Sequence, residues 1–406
     1  MGDAPTFPFP GSSWRGPAPR YAELRAGRPV ARVEVAGGGH AWLVTRYRDV
    51  QAALADPRLS RAAVYEPGAP QFAGLFQAPP GMIVSVDPPE HTRLRALAEQ
   101  AFSTERLEKM RPRIQHTADT LTEALARGPN PADLVGRFAS PLAMTVICEL
   151  LGVELADREK FEVWVRQLAA VGSAEEEQRS GQEQLGAYMA ALVAAKREHP
   201  ADDVLSALVA ARVGEWALTE QELVVFGYTL LGAGYDSTAS QIANFTLALL
   251  TDHPGQWKHL GRHPQDVPAT VEELLRGVNL NGTDTSGLPR IALADIELGG
   301  AVIPAGDAVF LAMTSANRDE TVFPRPDRLD FARGADTPGH LAFGYGVHRC
   351  LGAPLARIEL AAALEALTRR LPGLRLAVPE DELVWRVGDV NHSLTALPVT
   401  WPAEDA

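Results

Sequence analysis

Phe343-Gly344-Tyr345-Gly346-Val347-His348-Arg349-Cys350-Leu351-Gly352 leads directly into an Ala- and Leu-rich segment, about Ala353 to Arg370, whose spacing predicts a helix. Glycines four and six residues ahead of the cysteine let the backbone turn tightly and approach a flat partner. A position just before a helix offers amide donors and the positive end of the helix dipole, both of which favour a thiolate. Cys350 therefore reads as reactive. The other cysteine, Cys148, lies in the apolar run Met144 to Leu151 and reads as core packing. Two cysteines exclude a disulfide framework, and neither belongs to a Cys-x-x-Cys metal motif.

Outward from this loop, the 406 residues are 46% hydrophobic and carry a formal net charge of -13. That content fills a large core, and the acidic balance argues against polyanionic partners such as nucleic acid or an anionic membrane. No apolar run long enough to span a bilayer and no signal-like start is present, so a soluble, cytoplasmic protein is expected. After a Pro-rich leader, about 1 to 29, Val30 to Val44 reads as a β hairpin turning at Gly37-Gly38-Gly39. From about 49 to 276 the pattern is helical, punctuated by prolines. One long helix is predicted from about Glu220 to Thr251, opened by the capping box Thr219-x-x-Glu222 and closed before Pro254. From 277 to 406 short β runs appear around Ile291, Ile296 to Ile303 and Val309 to Met313. The expected fold is a single, mainly α domain with small sheets over residues 1–406.

The loop resembles the haem-binding loop of the cytochrome P450 family, Phe-Gly-x-Gly-x-His/Arg-x-Cys-x-Gly, and meets it at every fixed position. The resemblance implies the P450 fold, haem b as cofactor, Cys350 as the axial iron ligand and His348 against a haem propionate, with Phe343, Gly344 and Gly352 completing the cofactor loop. Further matches follow in the family's order. Glu273-Leu274-Leu275-Arg276 places two charges on one helix face; in the family the pair clamps a downstream arginine, for which Arg325, Arg328 and Arg333 are candidates. His91 and Arg95, one helical turn apart, and Arg290 match positions that bind the propionates. In Ala233-Gly234-Tyr235-Asp236-Ser237-Thr238, glycines inside a helix cost about 1 kcal/mol each, so Gly232 and Gly234 need a reason. Close approach to the haem at Ala233 and Gly234 is one; close helix packing is the other. The family's acid-alcohol pair, which delivers protons to the oxygen site, corresponds here to Asp236-Ser237. Ser237 stands where Thr is more frequent, with Thr238 one residue later.

The resemblance implies a monooxygenase that oxidises a small organic molecule, supplied with electrons by a ferredoxin and its NAD(P)H-dependent reductase. An acidic ferredoxin needs a basic patch, for which Arg93, Arg106, Lys109, Arg111, Arg113, Arg349 and Arg357 are candidates. Substrate contacts are expected from the regions about 65 to 84 and 164 to 173, the long helix, the segment 278 to 287 and the C-terminal turn. The named positions are Val84, Phe226, Thr229, Leu230, Ala233, Asn279, Asn281, Thr283, Asn391 and His392. The polar run Val278 to Ser286 points to a substrate bearing amide or hydroxyl groups, such as a cyclic dipeptide, a modified amino acid or a polyketide; those residues equally serve backbone turns. Two competing functions remain at this level: oxidative coupling without oxygen insertion, and a non-catalytic haem protein that binds a carrier or partner.

Overall fold

The computed structural model describes residues 4–402 apart from 37, 71, 73–77, 158–159, 162, 165–174, 282–287, 334–336 and 388–389. The chain groups into two compact units, 1–95 with 272–350 and 96–271 with 351–406.

The first unit is built on a six-stranded sheet in the order Thr6–Phe7, Val30–Val35, His40–Val44, Ala308–Leu311, Arg290–Ala292, Leu59–Ser60. The predicted hairpin forms its second and third strands, with Val30 opposite Val44 and Glu34 opposite His40. The Pro-rich leader, to which the sequence reading assigns no element, joins this unit. Its first strand pairs with Val30–Val35, and Phe7, Phe9 and Trp14 are buried, because the aromatics between the prolines reach the core. The run Ile296 to Ile303 is a hairpin of Ile296–Leu298 with Ala301–Ile303, bent where Gly299 and Gly300 take positive φ. The last β run stops at Leu311, and Met313 starts a short helix.

The second unit is helical, with one small sheet of Arg375–Leu376, Pro398–Thr400 and Ala132–Asp133. The long helix spans Glu220–Thr251, as the sequence predicts. Thr219 Oγ1 accepts from Glu222 N at 3.2 Å, and Glu222 Oε2 accepts from Thr219 N at 2.7 Å, so two otherwise orphaned amides at the helix start are satisfied. From Thr238 to Leu249 every residue of this helix is buried, which makes it the axis of the unit. The last helix runs Ala353–Arg370. Among the described residues no helix is long and apolar enough to cross a membrane.

Candidate active site

In the first unit the cysteine loop is a closed ring. Cys350 N donates to Phe343 O at 2.9 Å, Arg349 N to Gly346 O at 3.1 Å and Gly344 N to Leu341 O at 2.9 Å. Gly344 and Gly346 sit at φ 70° and 73°, where a side chain is strained. At Gly346 an added Cβ would also lie 2.8 Å from Leu54 O. Closing the ring leaves Cys350 exposed three residues before Ala353–Arg370 begins, whereas Cys148 is fully buried and burial pushes its thiol up to about 12. Cys350 is exposed, and Cys148 packs in the core as the sequence predicts.

The residues read as propionate ligands collect around this ring. Arg95 Nη1 donates to Arg349 O at 2.7 Å, and the His91 and His348 rings lie 4.2 Å apart. Arg290 is 2% exposed, and its Nη1 reaches Leu59 O at 3.4 Å. Its Nε and Nη2 are buried with no acceptor among the described residues. Burial and the neighbouring Arg61 charge pull this guanidinium down to about 9. Burial, reinforced by Arg61, His91, Arg290 and Arg95, holds the His348 imidazole at about 2.

Arg61 is the member that sequence reasoning missed. Strand Leu59–Ser60 pairs antiparallel with Arg290–Ala292, Ser60 opposite Ile291, so one step further along the register Arg61 falls opposite Arg290. No spacing in the sequence signals a pairing across some 230 residues. Its Nε is buried without an acceptor, and desolvation takes its pKa down to about 10. The neighbouring carboxylate, Asp87, is already committed to Ser60 Oγ and to the amides of Arg61 and Ala62. Buried guanidinium nitrogens without acceptors are costly in an isolated protein. A dianionic group beside them removes that cost, and the two propionates of haem b have the required charge.

A second arginine cluster in the same unit is complete without any ligand. Arg276 bonds both Glu273 oxygens at 2.9 and 2.7 Å, and Arg333 bonds the same two at 3.0 and 3.3 Å. The remaining Arg276 donors reach the carbonyls of Asn317, Pro326 and Arg328. Arg333 is thus the clamped arginine; Arg325 pairs with Asp330, and Arg328 contributes only its carbonyl. Burial alone would raise the Glu273 carboxyl, but the hydrogen bonds from Arg276 and Arg333 outweigh it and hold it below the usual range.

In the second unit, Asp236 and Ser237 lie on the long helix. Ser237 Oγ donates to Ala233 O at 2.7 Å, a bond to the preceding turn that loosens the helix locally. Asp236 Oδ2 accepts from Asn391 Nδ2 at 2.8 Å, and its Oδ1 is 3.5 Å from Arg386 Nη1. Thr238 is 5% exposed. The two helix glycines separate. A Cβ on Gly234 would meet Ile147 Cδ1 at 2.8 Å, so helix packing accounts for that glycine, whereas Gly232 faces open space. Ala233 is exposed.

Of the positions read as substrate contacts, Asn279 departs most from that role. Its Oδ1 accepts from Asn281 N at 3.0 Å and Thr314 Oγ1 at 3.4 Å, and its Nδ2 donates to Ser13 O at 3.2 Å. With 2% exposure it holds backbone in place, the alternative the polar run left open. Phe226 is buried, and Thr229 donates to Val225 O. Val84 lines a small cavity with Arg61, Val64, Tyr65, Leu288 and Pro289. Leu230, Asn281, Asn391 and His392 are half-buried. Thr283, with 282–287 and 165–173, lies outside the described residues. In the expected basic patch, Lys109 pairs with Glu105, Arg111 with Glu108 and Arg106 with Asp202.

The cytochrome P450 family model matches residues 267–375. Mycinamicin IV hydroxylase/epoxidase of Micromonospora griseorubida is 45% identical over 388 residues, 95% of each chain. Nocardicin C N-oxygenase of Nocardia uniformis subsp. tsuyamanensis is 43% identical over 400 residues, 98% of this chain and 99% of the relative. The solved structure of the LnmA cytochrome P450 hydroxylase from the leinamycin biosynthetic pathway of Streptomyces atroolivaceus S-140 superposes with a TM-score of 0.90 at 44% identity, covering 98% of this chain and all of that one. Relatives named as hydroxylases and oxygenases favour oxygen insertion over coupling. The chain belongs to the cytochrome P450 family, whose fold it shares, and is one of its haem b-dependent monooxygenases.

Proposed function

We propose that this P450 hydroxylates or otherwise oxygenates a small polar metabolite, with Cys350 as the residue that would ligate the haem iron and Arg61, His91, Arg95, Arg290 and His348 as those that would hold the propionates. The uncommitted guanidinium nitrogens of Arg290 and Arg61 beside the closed Cys350 ring carry the reading. Bound haem supplies reductive activation of dioxygen, with electrons from a ferredoxin and its NAD(P)H-dependent reductase. Asp236 takes protons from solvent and passes them inward, with Ser237 as the hydroxyl beside it and Thr238 packed behind. The Ser237 proton is held on Ala233 O, which leaves the oxygen lone pairs to accept a hydrogen bond. Arg93 and Arg349, with the exposed Tyr345 and Val347, form the surface that meets an acidic ferredoxin. The named substrates of the relatives, mycinamicin IV and nocardicin C, support a polar product of specialised metabolism.

The test is the absorption spectrum of the reduced, carbon monoxide-treated protein beside Cys350→Ala. A thiolate-type red-shifted Soret band in the wild type that is lost in the variant is expected. Haem-loaded wild type without that band overturns the ligand assignment. A panel of macrolides, cyclic dipeptides and modified amino acids, screened by Soret shift, then tests the substrate class against fatty acids.

A further inference from the structure

The C-terminal turn is fastened along one stripe of the long helix. Asp236, Ser240 and Asn244 follow at intervals of four residues, so their side chains share a face. Each of them meets the turn. Asn391 Nδ2 donates to Asp236 Oδ2 at 2.8 Å, the Ser240 and Ser393 hydroxyls are 2.8 Å apart, and Asn244 Nδ2 donates to His392 O at 2.8 Å. The turn itself is closed by the bridge of Trp385 with Leu394 and by Arg386 N donating to Ser393 O at 2.8 Å. Arg386 and Asn391 therefore stand on opposite arms of one closed turn, and each serves a different oxygen of the same carboxylate.

We propose that Asn391 and Arg386 are positioning residues for Asp236, and that Asn391 serves the carboxylate rather than the substrate. This rests on the reading of Asp236 as the proton-delivering acid. With a neutral amide on one oxygen and a guanidinium near the other, the carboxylate keeps a single rotamer, and each oxygen retains a lone pair for water. The Asn244 bond to His392 O, the residue next to Asn391, sets the register of the turn, so Asn391 cannot slide along the helix. Without the Asn391 donor the carboxylate swings to Arg386, and the ion pair withholds it from the proton path.

The haem-loaded protein is assayed for substrate-free NADPH oxidation with ferredoxin and ferredoxin reductase in excess, where each NADPH and proton reduce one O2 to H2O2. The rate and its solvent deuterium isotope effect are compared for wild type, Asp236→Asn, Asn391→Ala, Arg386→Ala, Arg386→Lys and Ser240→Ala. Asn391→Ala is expected to slow oxidation about tenfold or more, with an isotope effect that moves as in Asp236→Asn. Arg386→Lys should stay nearer the wild type than Arg386→Ala, and Ser240→Ala, which removes a rung but no carboxylate partner, should match the wild type. If Asp236→Asn changes both readouts and the Asn391 and Arg386 variants change neither, the positioning role is wrong and the relay stands. If Asp236→Asn changes nothing, the relay reading fails and the proposal with it. If Ser240→Ala and Asn391→Ala move together, the turn acts only through its stability and the proposal is overturned. Should Asn391→Ala not fold, the Arg386 pair carries the same test.

Discussion

Two arginine clusters in the first unit look alike in sequence and differ in how completely the protein satisfies them. Around Glu273, Arg276 and Arg333 share one buried carboxylate, and the Arg276 donors are spent on it and on three carbonyls. Around Arg290, two guanidinium nitrogens are buried without acceptors, and the nearest carboxylate is already engaged. A closed charge network belongs to the fold, because nothing is left for a ligand to satisfy. An open one is tolerated only if something else completes it. Removing one member from each cluster should therefore give opposite phenotypes.

The largest effect is expected at Glu273. Glu273→Ala leaves Arg276 and Arg333 buried without their carboxylate, at a cost of about 3–5 kcal/mol, measured as the shift in the denaturant unfolding midpoint. A shift below about 1 kcal/mol would place this cluster in the same class as the other and break the comparison. At Arg290 the effect should fall on the cofactor. Arg290→Met removes a desolvated cation, so folding stability should hold or improve, while haem loss to apomyoglobin should accelerate about tenfold or more. Equal loss of folding stability in both variants would remove the distinction.

How much of this was legible follows the same division. Local periodicity, caps and breakers are written in contiguous residues, which is why the approximate bounds read for the Glu220–Thr251 helix and the Ala353–Arg370 helix hold. The Cys350 ring was readable because its glycines and its cysteine fall within eight positions. Arg61 was not, since only the register of Leu59–Ser60 on Arg290–Ala292 brings it to Arg290. The choice of Arg333 over Arg325 and Arg328 also needed tertiary geometry, as did the two roles of Asn279 and Asn391. Polar residues in irregular segments carry no period, so whether they meet backbone, a catalytic side chain or a ligand is decided by chain pairs far apart in sequence. The leader is read from sequence only as Pro-rich; the burial of Phe7, Phe9 and Trp14 follows from the apolar area they carry between the prolines.

The same contrast between committed and uncommitted groups holds at smaller scale in the second unit. His392 gives its carbonyl to Asn244, but its Nε2 is buried without a partner, and burial lowers its imidazole to about 4. A base whose folded pKa lies below the unfolded value binds fewer protons when folded. The associated stability is therefore complete above the unfolded pKa near 6.5 and is lost as pH falls towards 4. With a discount for its partial exposure, the loss between pH 7 and pH 5 should be about 1 kcal/mol, and His392→Phe should flatten that part of the pH profile. An unchanged profile would mean that the histidine titrates freely.

The smallest effect separates the two glycines of the long helix. Gly232 lies mid-helix, where an added Cβ meets nothing within 4 Å, so Gly232→Ala should gain the helix propensity difference of about 0.5–1 kcal/mol. Gly234→Ala drives its Cβ against Ile147 Cδ1 at 2.8 Å, and the flexible end of that side chain must shift, which offsets the same gain. Thermal unfolding of the two variants side by side should place Gly232→Ala above the wild type and Gly234→Ala at or below it. If both rise equally, Ile147 yields without cost, and the packing account of Gly234 fails.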